Sequence, residues 1–175
     1  MAVYTKINQK EINIINKNFN INKVISFKGI KQGIENTNYL LKSKKKKYIL
    51  TIFEKRVLQK EIPFFMKLMD NLNNSKINCP KPLKTRNNKY LIKLKNKTAC
   101  IVSFLEGKDK KILNINDCYT VGKTIARMHV VTNTMKLNRK NSMGIKNLKP
   151  LLESIKFKSK KFSNLKIFLK NNLKD

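Results

Sequence analysis

The apolar residues of this chain change their spacing along its length: helical and strand-like spacing alternate up to residue 105, and helical spacing alone follows. A first helix is predicted over residues 9–18, because Asn8 and Glu11 have the spacing of a capping box and apolar residues recur behind them on one helical face. Short apolar runs then predict strands at 24–27, 38–41 and 48–53.

A second amphipathic helix is predicted over residues 59–73. It should begin near Glu61, because Pro63 is tolerated only in the first turn of a helix. The apolar residues that share one face of this helix are Ile62, Phe65, Met66, Met69 and Leu72. After an extended link at Cys79–Pro82, two further strands are predicted around 89–94 and 98–105.

The remaining residues predict helices only. Asn116-Asp117 is the expected cap of a long helix, and two amphipathic segments follow near 148–156 and 162–173. The long helix carries an apolar stripe of the kind that is normally buried, formed by Cys118, Val121, Ile125 and Met128. Runs of strands followed by runs of helices indicate an α+β protein with two layers or lobes.

The formal net charge of +30 is the strongest feature of the composition. Lysine supplies most of it and comes with abundant asparagine and isoleucine, the bias that AT-rich coding sequence favours. Arginine, the preferred residue for bidentate contacts with bases and phosphates, is scarce, and aromatic residues do not alternate with basic ones. We therefore expect no nucleic acid as a partner, and a non-catalytic polyanion-binding protein stays open as an alternative. The run Lys44–Lys47 is expected at a solvated hairpin tip.

Neither a metal site nor a membrane segment is expected from the sequence. Cys79, Cys100 and Cys118 are widely separated, and the single histidine, His129, is better explained as a packed residue than as a catalytic one. No apolar run reaches the roughly 18 residues of a membrane span, and the first residues lack the basic and apolar stretches of a secretory signal. The expected compartment is the cytoplasm.

Two segments carry candidate chemistry. In Gly33–Tyr39, between two predicted strands, the glycine permits a turn or close approach to a ligand, and the Asn and Thr side chains offer donors to phosphate oxygens. A polar hairpin loop is the alternative, and no Walker A motif follows. In Ile101–Gly107 a strand runs into a turn, which by itself is also the pattern of a core strand that ends at glycine.

The order and spacing of these segments resemble the homoserine kinases of the aminoglycoside-phosphotransferase-like type, which have a protein-kinase-like fold. The similarity runs from about residue 3 to the end of the chain, and the segments that carry it are residues 26–30, 33–41, 48–56, 63–65, 79–82, 104–107 and the helix ending at Met128-His129.

The resemblance implies ATP-dependent phosphorylation of the homoserine hydroxyl, a step of threonine biosynthesis. It implies that the strand at 101–105 leads into a hinge between two lobes, where backbone groups of Ser103 and Leu105 hydrogen-bond the adenine edge. It also implies that the loop holds the ATP phosphates through Gly33, Asn36, Thr37 and Asn38. Many relatives have a lysine or arginine where Thr51 stands, so Lys55 or Arg56 is the candidate replacement, with Glu61 as its ion-pair partner.

The resemblance also implies parts that residues 1–175 do not contain. The family's catalytic loop, of His-Ala/Gly-Asp-Leu-Phe-x-Asp-Asn character, and its later Mg²⁺-binding aspartate do not occur here, so no catalytic or metal residue is assigned. We predict an antiparallel-sheet N-lobe over 1–106 and an incomplete helical C-lobe over 107–175, inactive alone, with apolar faces exposed on 118–132 and 148–173. Another small-molecule kinase of the same superfamily stays open as an alternative function.

Overall fold

One antiparallel sheet and five α-helices account for the regular structure of the described residues, which are 3–55, 57–140, 144–154 and 160–172 of the computed structural model. In chain order the elements are α1 Gln9–Asn18, β1 Val24–Gly29, β2 Thr37–Ser43, β3 Lys47–Ile52, α2 Ile62–Asn74, β4 Leu91–Leu94, β5 Lys97–Ser103, α3 Ile115–Asn133, α4 Ile145–Ser154 and α5 Lys160–Asn172. This is the α+β order that the sequence predicted.

The five strands form a single sheet in the order β1-β2-β3-β5-β4, and every neighbouring pair is antiparallel. The turn between β2 and β3 carries the lysine run, as predicted for like charges that repel one another in water. Ser43 closes this turn, because its hydroxyl donates to the Lys46 carbonyl at 2.8 Å and accepts from the Lys46 N–H at 3.0 Å.

One face of the sheet packs with α1 into the main core. The predicted capping box is confirmed: the Asn8 side chain accepts from the backbone, and Glu11 Oε2 accepts from the Asn8 N–H at 2.7 Å. Because the cap fixes where the helix begins, Ile12 and Ile15 both turn inward and are almost fully buried. The sheet residues that share this core are Tyr39, Leu41, Tyr48, Leu50, Ile52, Ala99 and Ile101.

Helix α2 packs on the opposite face of the sheet. It follows one turn of 3₁₀ helix at Gln59–Glu61, and Pro63 lies in its first turn as predicted. Ile62 and Met66 are buried against Cys100 and Val102 of β5. The Tyr90 hydroxyl donates to Asp70 Oδ2 at 2.7 Å; burial, with the Asp70 carboxylate adding to it, raises the pKa of Tyr90 to about 12.

Helix α3 differs from α1 and α2 because none of its residues is buried. Its cap is Asn114, which accepts from the Asp117 N–H at 2.9 Å, so the prediction of a cap at Asn116-Asp117 was wrong by two residues. Asp117 instead closes a capping box from the N3 position. Val121 and Ile125 are about half exposed, which confirms the expected exposure of this stripe.

The chain divides into two compact units, Met1–Leu137 and Asn138–Asp175. In the second unit, α4 and α5 are joined by a Lys170–Glu153 ion pair at 3.6 Å, and both Ile167 and Phe168 are more than half exposed. The lobe boundary predicted at 106/107 is not the same as this division into compact units, and it stays a prediction. No helix in the described ranges has the length and apolarity needed to cross a membrane.

Candidate functional site

The strand register places one row of apolar side chains on the face of the sheet that α2 only partly covers. Leu40 pairs with Ile49, and Ile49 pairs with Val102, so the three side chains point to the same face. Leu40 and Ile49 are half-buried, whereas Val102 is buried against α2. The row is therefore an apolar floor, open over β2 and β3.

A polar row lies next to this floor on the same face. Asn38 pairs with Thr51, and the Thr51 hydroxyl donates to Asn38 Oδ1 at 2.8 Å. The amide nitrogen of Asn38 has no hydrogen-bond partner among the described residues, so it remains a free donor beside the floor. Thr51 is uncharged here, so this row supplies hydrogen bonds and no positive charge.

The β1–β2 loop (residues 30–36) adjoins the polar row. Ile30 N–H donates to the Asn38 carbonyl at 2.9 Å, and Asn36 Oδ1 accepts from the Glu54 N–H at 3.3 Å, so both ends of the loop are fixed. Gly33 has a φ of +103°, which residues with a Cβ rarely adopt, and no atom lies within 4 Å of where a Cβ would stand. The middle of the loop is thus open to a ligand.

Thr37 points away from this face. Its side chain is fully buried, and its hydroxyl oxygen accepts from the N–H groups of Tyr4 (3.0 Å) and Thr5 (3.1 Å) while it donates to Glu54 Oε1 at 2.7 Å. With all these hydrogen bonds made internally, the hydroxyl is not turned toward the loop's open side. The geometry gives Thr37 a part in fixing where β2 begins, and its predicted contact with phosphate stays untested.

Glu54 is the centre of a charged cluster behind the loop. It accepts from Lys97 and from the Thr5 hydroxyl (2.6 Å) as well as from Thr37. Burial by itself would raise the pKa of Glu54, but these hydrogen bonds and the Lys97 charge together lower it below its ordinary value. The cluster borders a cavity of about 400 Å³ whose lining residues are Tyr4, Ile34, Glu35, Glu54, Lys55 and Lys97.

The two predicted replacements for a strand lysine lie at this end of the sheet. Lys55 is exposed in the turn after β3 and lines the cavity, whereas Arg56 lies outside the described residues. Lys97, which sequence analysis did not single out, is engaged by Glu54. Of the two lysines that the structure describes at this cavity, Lys97 is therefore paired with Glu54 and Lys55 is not.

The hinge segment lies at the other end of the same face. Ser103 is joined to Lys81 by two hydrogen bonds, its N–H donating to the Lys81 carbonyl at 2.8 Å and its Oγ accepting from the Lys81 N–H at 2.9 Å. The Leu105 N–H has no hydrogen-bond partner among the described residues and is available as a donor. The predicted site residues thus divide between two ends of one sheet face.

The lysine run lies beside the hinge and away from the loop. Lys47 Nζ is 2.8 Å from Glu106 Oε1 and 5.1 Å from the centre of the Phe104 ring. A cavity of about 520 Å³ opens there, and its lysines are Lys42, Lys44, Lys45, Lys46, Lys47 and Lys81. The lysine run and the β1–β2 loop therefore line different cavities.

Sequence reasoning missed the apolar floor and Tyr4. The sequence does contain a signal for the floor. Leu40 lies two residues from Asn38, and Ile49 lies two residues from Thr51, and residues two apart in a strand point to the same face. No sequence signal indicates Tyr4, because its hydrogen bond to the loop joins residues that are 30 positions apart in the chain.

The described residues contain no group of three His, Cys, Asp or Glu side chains able to hold a metal ion. Burial raises the pKa of the Cys100 thiol to about 12 and raises that of Cys79, so both thiols stay protonated. His129 is exposed on α3, so the packed position expected for it is not seen, and a Cβ on Gly122 of the same helix would meet no neighbouring atom within 4 Å.

Comparison with known proteins gives one family match. The model of the phosphotransferase enzyme family matches residues 26–162. That range contains the β1–β2 loop, the apolar floor, the hinge and α3.

Similar curated proteins are homoserine kinases. That of Paramagnetospirillum magneticum is 40% identical over 156 residues, which cover 89% of this chain and 48% of the relative. That of Parvibaculum lavamentivorans is 37% identical over 154 residues, covering 88% and 48%. The chain spans about half the length of the curated relatives it matches.

Similar solved structures share the fold at low sequence identity. A spectinomycin phosphotransferase in complex with ADP and spectinomycin has a TM-score of 0.63 at 16% identity, over 96% of this chain and 54% of that one. A microcompartment-associated aminopropanol kinase has a TM-score of 0.62 at 13% identity, over 82% and 48%. These similarities confirm the kinase-like α+β fold predicted from the sequence.

Proposed function

The chain belongs to the phosphotransferase enzyme family, and we propose that it is the nucleotide-binding part of a homoserine kinase, which transfers the γ-phosphoryl group of ATP to the homoserine hydroxyl. Identity of 40% to a homoserine kinase along most of the chain supports this substrate over those of the structural neighbours. Turnover belongs to the whole enzyme, because phosphoryl transfer also requires groups that orient the attacking hydroxyl.

The observation that carries the proposal is the arrangement of polar groups at both ends of an apolar floor. Cys100 pairs with Thr51, and Ser103 at the hinge lies three positions farther along β5, which is about 10 Å along a strand. Adenine lies on the floor of Leu40, Ile49 and Val102, and the phosphates extend toward the β1–β2 loop. Free hydrogen-bond donors therefore lie near both the adenine end and the phosphate end of the proposed nucleotide.

At the hinge, the Leu105 N–H donates to a ring nitrogen of adenine and the Ser103 carbonyl accepts from its amino group. At the other end, Gly33 allows the loop backbone to approach the phosphates, and the amide groups of Asn36 and Asn38 donate to phosphate oxygens. Thr37 contributes by fixing where β2 begins, because its hydroxyl is already hydrogen-bonded within the protein.

Positive charge at the phosphates comes from the segment after β3. Thr51 is neutral, so Lys55 or Arg56 takes the part that a strand lysine has in many relatives, with Glu61 as its partner. Lys55 is exposed in the turn after β3 and lines the cavity behind the loop, and in this proposal its long side chain extends past the loop toward the phosphates. A cation here stabilises charge that spreads over the transferred group.

The magnesium ion that accompanies ATP in such enzymes neutralises phosphate charge when it is bound. The described residues do not fit a metal site, so we assign no step of the reaction to a metal held by this chain. The N-lobe of the proposed enzyme comprises residues 1–106, and residues 107–175 begin its helical C-lobe.

Nucleotide binding tests the site directly. We expect a fluorescent ATP analogue to bind the wild-type chain, and Gly33→Val to weaken its affinity by at least about tenfold, because valine at a φ of +103° must distort the loop. Gly122→Val is the matched control, since that helical glycine also has open space around it. Equal affinities for the two variants and the wild type would sink the assignment of the loop.

A chimera tests the substrate. Joining this chain to the part of the Paramagnetospirillum magneticum homoserine kinase that it does not span restores a complete set of reacting groups. We expect homoserine-dependent release of ADP from the chimera, no release with spectinomycin or aminopropanol, and none from the 175-residue chain alone. ADP release with aminopropanol and not with homoserine would favour the alternative of another small-molecule kinase.

A further inference from the structure

The β1–β2 loop, as the described residues show it, has a single hydrogen bond along residues 31–35. The Tyr4 hydroxyl donates to the Ile34 carbonyl at 3.0 Å. Residues 31–35 are all exposed to solvent, and Ile34 is 73% exposed. The loop is therefore fixed at both ends and at one point between them, and that point belongs to the N-terminal segment (residues 3–5).

The N-terminal segment is itself held firmly on the sheet. The N–H groups of Tyr4 and Thr5 both donate to the buried Thr37 hydroxyl, and the Thr5 hydroxyl donates to Glu54. Val3 packs against Gly29 so closely that a Cβ on that glycine would lie 2.9 Å from Val3 Cγ2. The segment is thus anchored to the strands on either side of the loop by backbone bonds, a side-chain bond and packing.

These contacts give the segment a definite mechanical role. An open loop that must become ordered around a ligand loses conformational entropy with each residue that becomes fixed. A loop that is already held near its bound form loses less, and its affinity for the ligand is correspondingly higher. Tyr4 holds Ile34, the residue after Gly33, and its ring borders the cavity behind the loop.

We infer that Tyr4 is a positioning residue: through its hydroxyl, the N-terminal segment pre-orders the β1–β2 loop and raises the affinity of the site for nucleotide phosphates. The loop's ordering stands on the contacts above, whereas the effect on nucleotide rests on the proposed function. Tyr4 does not touch the nucleotide, since it reaches the loop from the side of Glu54 and Thr37.

Tyr4→Phe removes the hydroxyl and keeps the ring. Backbone ¹⁵N relaxation without nucleotide is the first measurement, and we expect the order parameters of Gly33, Ile34 and Glu35 to fall from about 0.85 toward 0.6. Affinity for a fluorescent ATP analogue should fall about 2- to 10-fold, the range for one hydrogen bond, while the melting temperature stays within about a degree. Tyr119→Phe, on the exposed face of α3, is the matched control and should change neither quantity.

A second variant perturbs the N-terminal segment without removing a hydroxyl group. Gly29→Ala displaces Val3, so it should loosen the same three loop residues and weaken ATP in the same direction. Order parameters unchanged in both Tyr4→Phe and Gly29→Ala would overturn the inference, whatever the nucleotide does. A looser loop in a chain whose wild type binds no ATP analogue would leave the ordering role intact and overturn the proposed function.

Discussion

Helices α1 and α3 begin in the same way and end in different surroundings. Each has an asparagine cap and an acidic residue at N3 that closes a capping box, Asn8 with Glu11 and Asn114 with Asp117. Each also carries apolar residues at helical spacing. Yet Ile15 of α1 is fully buried, whereas Ile125 of α3 is 47% exposed.

The difference teaches that local sequence decides whether a helix forms and not what the helix contributes. A capping box and a helical period act within a few residues. The stability that a helix adds comes mainly from the face it buries; α1 and α2 each bury apolar residues, whereas α3 buries none. The candidate nucleotide site lies on the α2 face of the sheet, where Leu40 and Ile49 stay half-buried.

The sharpest way to break this comparison is the same substitution on both helices. Ile15→Ala leaves a cavity in the core and should lower the free energy of unfolding by about 2–5 kcal/mol. Ile125→Ala should change it by less than about 0.5 kcal/mol, because an exposed side chain leaves no cavity. Urea denaturation measures both. A large loss from Ile125→Ala would mean that α3 is covered in solution.

The next largest effect concerns the buried hydroxyl at the start of β2. Thr37→Val should lower the free energy of unfolding by about 1–3 kcal/mol, because the N–H groups of Tyr4 and Thr5 lose their acceptor. Thr124→Val on α3 removes a hydroxyl that bonds only within its own exposed helix, and it should have little effect. Thr37→Ser keeps the oxygen and should recover most of the loss, as denaturation of the three variants would establish.

Acid should weaken the sheet through Glu54. Because its folded-state pKa is lowered, ionised Glu54 stabilises the fold above the ordinary glutamate pKa of about 4.3, and this stability is lost as pH falls through the folded-state pKa. We expect Glu54→Gln to cost about 1–2 kcal/mol at pH 7. The difference from wild type should shrink below pH 4. A difference that stays constant from pH 7 to pH 3 would show that the Glu54 charge contributes nothing.

The smallest expected effect compares the two caps. Asn8→Ala should lower the free energy of unfolding by about 1 kcal/mol, since α1 unfolds with the core. Asn114→Ala should fray the first turn of α3 and leave the unfolding of the sheet unchanged. Hydrogen exchange of residues 115–118, together with the urea midpoint, separates the two outcomes. A common shift of the midpoint in both variants would contradict the comparison.

The sequence predicted most of the candidate site as a set of segments and little of its geometry. Gly33 was singled out because a glycine between two strands is a local signal, whereas the hinge at Ser103–Leu105 was assigned through the family resemblance; both remain predictions. That Thr37 turns inward was not visible, because period two puts alternate residues on opposite faces without saying which face holds the ligand. The assignments of Asn36, Asn38, Lys55 and Arg56 to ATP remain predictions.

The sequence by itself determined where the chain forms each element: the capping box of α1, the proline-limited start of α2, the solvated lysine turn and the order of strands and helices. These features depend on hydrogen bonds, steric limits and charge repulsion between residues close in the chain. Only the tertiary structure decided that Leu40, Ile49 and Val102 form one floor and that Tyr4 holds Ile34. It also decided that the α3 stripe lies open, because each of these facts depends on which distant residues the fold brings together.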